Sequence, residues 1–238
     1  MKVLAISSSR VGAGGFLENA LSLIKEFISN SHQRIAFVPF ASVQRNYDEY
    51  GDLVRKALES LPNSIDIVKP DSARKTIDDS NIIMVGGGNT FKLLHDIYHL
   101  DLFHLIQHKV QSGTTYIGWS AGANIAGESI GTTNDMPIVQ PRSFTAFGFL
   151  PFQINPHYFN QPIVGHNGET RDQRLEEFVM LNPGISVVGL PEGTALKLDN
   201  SMLNFIGDKS GVLFQTDENK IPFKKMVSNG EDLSSLYF

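Results

Sequence analysis

The pentapeptide Gly-Trp-Ser-Ala-Gly at residues 118–122 has the spacing of a nucleophilic serine held on a tight turn. A β-branched run predicts a strand before it, and alanine-rich sequence compatible with a helix follows. In a G-x-S-x-G elbow the serine lies on a strained strand-to-helix turn, so the positions two before and two after it must lack bulk. The pattern predicts Ser120 as a nucleophile, with the Ala121 amide available to a developing oxyanion.

A second turn, Gly-Gly-Gly-Asn-Thr at residues 86–90, also follows a predicted strand and precedes a helical pattern. Consecutive glycines leave backbone amides open and allow a ligand to approach closely. The segment has neither the lysine of a P-loop nor a complete G-x-G-x-x-G, so nucleotide binding is not favoured. We predict the Gly88 amide as the second oxyanion donor and Asn89 as a substrate-binding residue.

A serine nucleophile needs a base, and His157 is the best candidate among the seven histidines. It follows Pro156 inside an aromatic-rich loop segment, where a histidine in packed surroundings suits proton transfer. Two other histidine pairs, at 95/99 and 104/108, share helical faces but lack further ligands nearby, so no metal site is predicted. His166 is the competitor, as a substrate-side residue or simply a loop residue.

The base in turn needs a carboxylate to orient it. Asp135 lies between the serine and the histidine in the sequence. Glu192 directly follows a predicted strand, which places it at the active edge of a sheet. The sequence does not separate these two candidates.

Arg171 stands in an unusual position for a basic residue. Thr170 and Gln173 form a capping-box pattern, which predicts that a helix begins near Arg171. Arginine in a first turn opposes the helix dipole, where acidic residues are expected. A guanidinium at this end of a helix is a good carboxylate receptor. A solvated arginine, or an ion pair with Glu169, is an equally compatible reading.

Alternating strands and helices must position these residues. The predicted strands cover residues 3–7, 34–40, 65–68, 82–85 and 115–118, and the predicted helices cover 17–28, 47–61, 91–98 and 102–111. Such alternation indicates an α/β fold with a mostly parallel sheet and helices on both faces. Ligands bind at the carboxyl ends of the strands in sheets of this kind.

The second half of the chain has a different pattern. Residues 127–168 are rich in proline and glycine but interleaved with aromatics, which indicates a packed, functional loop segment. After the helix near residue 170, short strands are predicted at 187–190, 195–198, 203–206 and 212–215. No repeat or linker is visible, so we expect one domain over residues 1–238.

Composition excludes several classes of protein. A formal net charge of −5 over 238 residues disfavours nucleic acid or an anionic membrane as the main partner. The absence of cysteine excludes disulfides, thiolate metal sites and a cysteine nucleophile. No apolar run reaches the length of a membrane span, and the first apolar stretch is too short for a signal peptide. We expect a cytoplasmic protein.

Five separate segments of the chain together resemble bacterial peptidase E, the α-aspartyl dipeptidase family. They are the serine elbow at 118–123, the glycine turn at 86–89, Asn-Pro-His at 155–157, Gly-Glu-Thr-Arg at 168–171 and Gly-Leu-Pro-Glu-Gly at 189–193. The resemblance runs from the first strand to beyond Glu192 and is loose after about residue 198. It implies a class I glutamine-amidotransferase-like, flavodoxin-like fold.

The resemblance also implies hydrolysis of dipeptides with an amino-terminal aspartate through an acyl-enzyme, without metal or organic cofactor. Ser120 would be the nucleophile and His157 the base, with the third member at Asp135 or at Glu192. Arg171 would bind the substrate aspartate side chain. A cyanophycinase-like β-aspartyl hydrolase and a non-catalytic carboxylate-binding protein are the alternatives. The expected partner is a small peptide, and the protein is expected to be a monomer or homodimer.

Overall fold

The computed structural model describes residues 1–28, 32–44, 46–161, 165 and 167–237. The strands are β1 (Lys2–Ile6), β2 (Arg34–Val38), β3 (Ser64–Ile67), β4 (Ile82–Val85), β5 (Thr115–Trp119), β6 (Gln153–Pro156), β7 (Val187–Leu190), β8 (Ala195–Asp199), β9 (Met202–Ile206), β10 (Gly211–Thr216) and β11 (Pro222–Val227). The α-helices are α1 (Glu18–Phe27), α2 (Tyr47–Ala57), α3 (Ala73–Asp78), α4 (Thr90–His99), α5 (Phe103–Gln111), α6 (Ala121–Asn124) and α7 (Arg171–Leu181).

A seven-stranded sheet in the order β3-β2-β4-β5-β1-β8-β9 forms the centre of the fold. The first five strands in that order pair in parallel, whereas β8 and β9 are antiparallel to their neighbours. The predicted mostly parallel sheet is therefore confirmed. Ile6 pairs with Trp119, so β1 and β5 end side by side and their next residues, Ser7 and Ser120, leave the same edge of the sheet.

Helices cover both faces of this sheet, as the alternation predicted. Alternate side chains of each strand point to opposite faces. Ala5, Val85 and Tyr116 belong to one apolar core with α3, α4, α5 and α6, while Leu4, Ile6 and Trp119 belong to another core with α1 and α2. Both cores are almost completely shielded from solvent. The sheet is therefore a rigid platform whose carboxyl edge holds the loops.

A second, four-stranded sheet has the order β11-β10-β7-β6. The sequence predicted β7 and β10 but neither β6 nor β11. β6 was missed because it is four residues long and lies within the loop-rich segment. β6 and β7 are parallel, with Pro156 opposite Leu190. The residues that follow these strands, His157 and the Pro191–Glu192 turn, therefore emerge beside each other.

Within the described ranges, no helix combines the length and apolar character needed to traverse a lipid bilayer.

Candidate active site

Ser120 occupies the turn between β5 and α6 with φ 55° and ψ −113°, a conformation rare for a non-glycine residue. Its amide donates a hydrogen bond to the Ile6 carbonyl at 3.0 Å, which ties the turn to β1. A side chain on Gly118 would collide with the backbone of Gly122, and one on Gly122 would collide with the Val85 carbonyl. Close packing thus explains both glycines, and the elbow has the strand–turn–helix context that the sequence predicted.

The imidazole of His157 lies between Ser120 and Glu192. Its Nε2 is 2.9 Å from the Ser120 Oγ, and its Nδ1 is 3.1 Å from the Glu192 Oε1. A carboxylate only accepts hydrogen bonds, so it favours the proton on Nδ1 and leaves the Nε2 lone pair facing the serine hydroxyl. This arrangement can accept the hydroxyl proton as the oxygen attacks a carbonyl.

Asp135 lies elsewhere, at the N-terminus of α4. Its Oδ2 accepts hydrogen bonds from the Thr90 amide at 2.7 Å and from the Thr133 hydroxyl at 3.3 Å. Neither oxygen bonds to His157 in the part of the chain that the structure describes. Of the two carboxylates that the sequence left open, Glu192 is the one that contacts the histidine.

Asn89 is the N-cap of α4, beside the glycine turn. Its Oδ1 accepts from the Lys92 amide at 3.0 Å, and its Nδ2 donates to the Met136 carbonyl at 2.8 Å. Both ends of this side chain therefore hold the 133–136 loop and the helix together, although Asn89 also borders the cavity at Ser120.

The amides of Gly88 and Ala121 donate no hydrogen bond to any described residue. Gly88 has φ +139°, and a side chain there would press on the Ala41 carbonyl, so only glycine fits without displacing the backbone. Ala121 is the first residue of α6, where an amide has no partner inside the helix. Within the described residues, both N–H groups are therefore free to donate to a ligand.

A cavity of about 470 Å³ opens beside the serine. Ser120, His157, Gly88 and Asn89 line it, together with residues of the β1–α1 and β2–α2 loops. Its volume is in the range of small-molecule sites.

Sequence reasoning missed Ser7, which links the two halves of the site. The Ser7 hydroxyl accepts from the His157 amide at 3.0 Å and donates to the Leu190 carbonyl at 2.7 Å. Ser7 is fully buried, and His157 has a positive φ of 53°, so this bond fixes an uncommon backbone conformation. The only available signal was a serine at the last position of the predicted first strand.

Sequence reasoning also missed a polar cluster around Tyr158, the residue that follows His157. The Tyr158 hydroxyl donates to one oxygen of Asp172, and the Lys224 ammonium donates to the other. Burial, and then the adjacent Asp172 carboxylate, raise the pKa of Tyr158 well above its ordinary value. The phenol therefore remains a hydrogen-bond donor and ties the His157 loop to α7.

Arg171 begins α7, and Thr170 and Gln173 form the predicted capping box. The Arg171 Nη1 donates to the Asn155 Oδ1 at 3.1 Å. Glu169 contacts Arg174, at 3.7 Å, and no described carboxylate pairs with Arg171. Burial, and then repulsion by Arg174, lower the pKa of Arg171. A half-buried guanidinium without a counter-ion is a ready receptor for an anion.

Arg171 does not line the cavity beside Ser120; it contacts Asn155, which lies two residues before His157. His166, the other predicted substrate-side residue, lies outside the described residues.

The fold is flavodoxin-like and class I glutamine-amidotransferase-like, and it carries a serine on a strained strand-to-helix turn. The sequence profile of peptidase family S51 matches residues 3–206. The chain belongs to peptidase family S51 and is a peptidase.

Relatives named peptidase E match almost the whole chain. The protein from Shewanella sp. (strain ANA-3) is 47% identical over 237 residues, covering 99% of this chain and 98% of its own. The protein from Nostoc sp. (strain PCC 7120) is 46% identical over 220 residues, covering 92% of this chain and 91% of its own. The resemblance to peptidase E is thereby confirmed.

Solved structures share the fold at low sequence identity. A crystal structure from Listeria monocytogenes EGD-e has a TM-score of 0.68 at 24% identity and covers 87% of this chain and 98% of its own. The crystal structure of a peptidase from an acI-B1 Actinobacterium has a TM-score of 0.68 at 18% identity, and the match covers 98% of this chain and 96% of that chain. These similarities support the α/β fold class.

Proposed function

We propose that this peptidase hydrolyses dipeptides carrying an amino-terminal aspartate, through an acyl-enzyme on Ser120. The observation that carries the proposal is the continuous contact from the Ser120 Oγ to His157, at 2.9 Å, and on to Glu192, at 3.1 Å. Relatives of nearly the same length named peptidase E add to it.

In the proposed mechanism, the His157 Nε2 takes the hydroxyl proton while the Ser120 Oγ attacks the aspartyl carbonyl. Negative charge develops on the carbonyl oxygen and is stabilised by the Gly88 and Ala121 amides, each contributing about 3 kcal/mol to transition-state stabilisation. His157 then gives its proton to the leaving amine as the C–N bond breaks. Water, deprotonated by the same imidazole, hydrolyses the ester and regenerates the serine.

Glu192 orients His157 and balances the imidazolium that forms during the reaction. In this mechanism Asp135 is a structural residue that fixes the first turn of α4, next to the oxyanion turn. Its hydrogen bonds to the Thr90 amide and to Thr133 supply that support.

Arg171 is the proposed receptor for the substrate aspartate side chain. Its guanidinium is half-buried, has no described carboxylate partner, and is held by Asn155 at the end of the strand that precedes His157. A substrate with asparagine in place of aspartate leaves that cation without a partner, which costs several kcal/mol when the group is desolvated.

A panel of Asp-Leu, Asn-Leu, Glu-Leu and β-Asp-Leu tests the proposed substrate class. We expect kcat/KM for Asp-Leu to exceed that for Asn-Leu by at least about 100-fold, because asparagine leaves the Arg171 guanidinium without a charge partner. Arg171→Gln should remove most of this selectivity. Arg174→Gln changes a neighbouring arginine that already contacts Glu169, and it should leave the selectivity in place.

Preferential cleavage of β-Asp-Leu would instead indicate a cyanophycinase-like β-aspartyl hydrolase. Binding of Asp-Leu without turnover of any peptide would indicate a carboxylate-binding protein. Either result would contradict the proposed function.

A further inference from the structure

Different loops of the central sheet flank Ser120 on its two sides. In the order β4-β5-β1, the glycine turn after β4 lies on one side of the serine and the loop after β1 lies on the other. His157 is on the β1 side, because its amide donates to Ser7, the residue that follows β1. The imidazole protonates the leaving amine, so the leaving amino acid must pass over the β1 side of the site.

Arg10 lies in that β1–α1 loop and lines the cavity with Ser120 and His157. It is the only permanently charged residue among the described residues lining this cavity. Its side chain is exposed, and the arginine ion pairs of the described ranges involve Arg34, Arg55, Arg74 and Arg174 but not Arg10. A cation kept free beside a nucleophile is available to an anionic group of the substrate.

The backbone of Arg10 is tied to the loop that carries Glu192. The Ser8 hydroxyl donates to the Arg10 carbonyl at 2.8 Å and accepts from the Gly193 amide at 3.3 Å. The backbone that carries this cation is therefore anchored beside the loop of Glu192, and the Arg10 side chain itself is exposed.

We propose that Arg10 binds the free α-carboxylate of the residue after the scissile bond, and so selects dipeptides over longer or carboxyl-blocked substrates. The inference rests on the proposed function and names a subsite for it. A dipeptide with an amino-terminal aspartate has two carboxylates, on opposite sides of the scissile bond. Arg171 is the proposed receptor for the aspartate side chain, and Arg10 lies in the loop after β1, the side of Ser120 on which His157 would protonate the leaving amine.

The carboxylate is present in both the ground state and the transition state, so Arg10 contributes mainly to substrate binding. Because the guanidinium is exposed, the effect is modest: we expect kcat/KM for Asp-Leu to exceed that for Asp-Leu-amide by about tenfold. Most of the difference should be in KM.

The test compares kcat and KM for Asp-Leu, Asp-Leu-amide and aspartyl-p-nitroanilide in the wild type, Arg10→Gln, Arg10→Lys and Arg142→Gln. Arg142 is a matched control, because it is also exposed and lines a separate cavity with His95 and His99. Arg10→Gln should bring the ratio of Asp-Leu to Asp-Leu-amide close to one through a raised KM for Asp-Leu. Arg10→Lys should keep part of the preference, and Arg142→Gln should keep all of it.

Aspartyl-p-nitroanilide has no α-carboxylate on its leaving group and reports on the catalytic centre separately. An unchanged ratio in Arg10→Gln would overturn the assignment of Arg10, as would an equal loss of turnover on the anilide and on Asp-Leu. Absence of turnover of every aspartyl substrate by the wild type would overturn the proposed function together with this subsite.

Discussion

Removal of the Glu192 carboxylate should slow the reaction by a moderate factor. Glu192 bonds the His157 Nδ1 at 3.1 Å, and the two side chains are 48% and 40% exposed. A hydrogen bond to a charged group contributes about 1.5–3 kcal/mol in a protein. Solvent screening of groups this exposed reduces the value, and we use about 1–2 kcal/mol. At about 1.4 kcal/mol per tenfold change, Glu192→Ala should lower kcat/KM by about 5–30-fold.

The matched variant is Asp135→Asn. Asparagine keeps an oxygen that can accept from the Thr90 amide, so the first turn of α4 should keep this support. Loss of the negative charge at a helix N-terminus costs about 0.3–1 kcal/mol of stability, and kcat should change little.

Steady-state kinetics on aspartyl-p-nitroanilide compare the two variants, with circular dichroism and thermal melts to establish that both are folded. We expect a clear loss of kcat in Glu192→Ala and near wild-type kcat in Asp135→Asn. A larger loss of kcat in a folded Asp135→Asn than in Glu192→Ala would refute the assignment of Glu192.

Two further substitutions test the support of the site. Ser7→Ala leaves the buried His157 amide without its acceptor, which should lower the free energy of unfolding in urea by about 1–3 kcal/mol and also lower kcat/KM. The control is Ser80→Ala, at another buried serine, whose hydroxyl bonds only a local carbonyl. This variant should lose less stability and keep its kcat/KM. Gly88→Ala forces a side chain against the Ala41 carbonyl at a φ of +139°, so it should displace an oxyanion donor and reduce kcat by about 100-fold or more. Wild-type stability in Ser7→Ala, or wild-type kcat in Gly88→Ala, would contradict these roles.

Local patterns predicted the parts of the site that depend on neighbours in the sequence. The elbow around Ser120 requires small residues two positions away, and the capping box at Thr170 requires a partner three positions later, so both appear in the sequence directly. The five parallel strands were likewise predicted from short β-branched runs closed by turn formers.

The remaining features depend on contacts between distant segments. Ser7 meets His157 across 150 positions of the sequence, and no local pattern encodes that pairing. The contact between Glu192 and His157 requires that β6 pair with β7, and β6 itself was hidden in a loop-rich segment. Residue type alone could not separate Glu192 from Asp135, because either carboxylate can orient an imidazole.

The most direct test of the central claim is to trap the acyl-enzyme. The protein is mixed with aspartyl-p-nitroanilide, quenched with acid within milliseconds, digested and analysed by mass spectrometry. We expect one added aspartyl group on the peptide that contains Ser120, and neither adduct nor turnover in a folded Ser120→Ala variant. Wild-type turnover by Ser120→Ala, or an aspartyl adduct on a different residue, would contradict it.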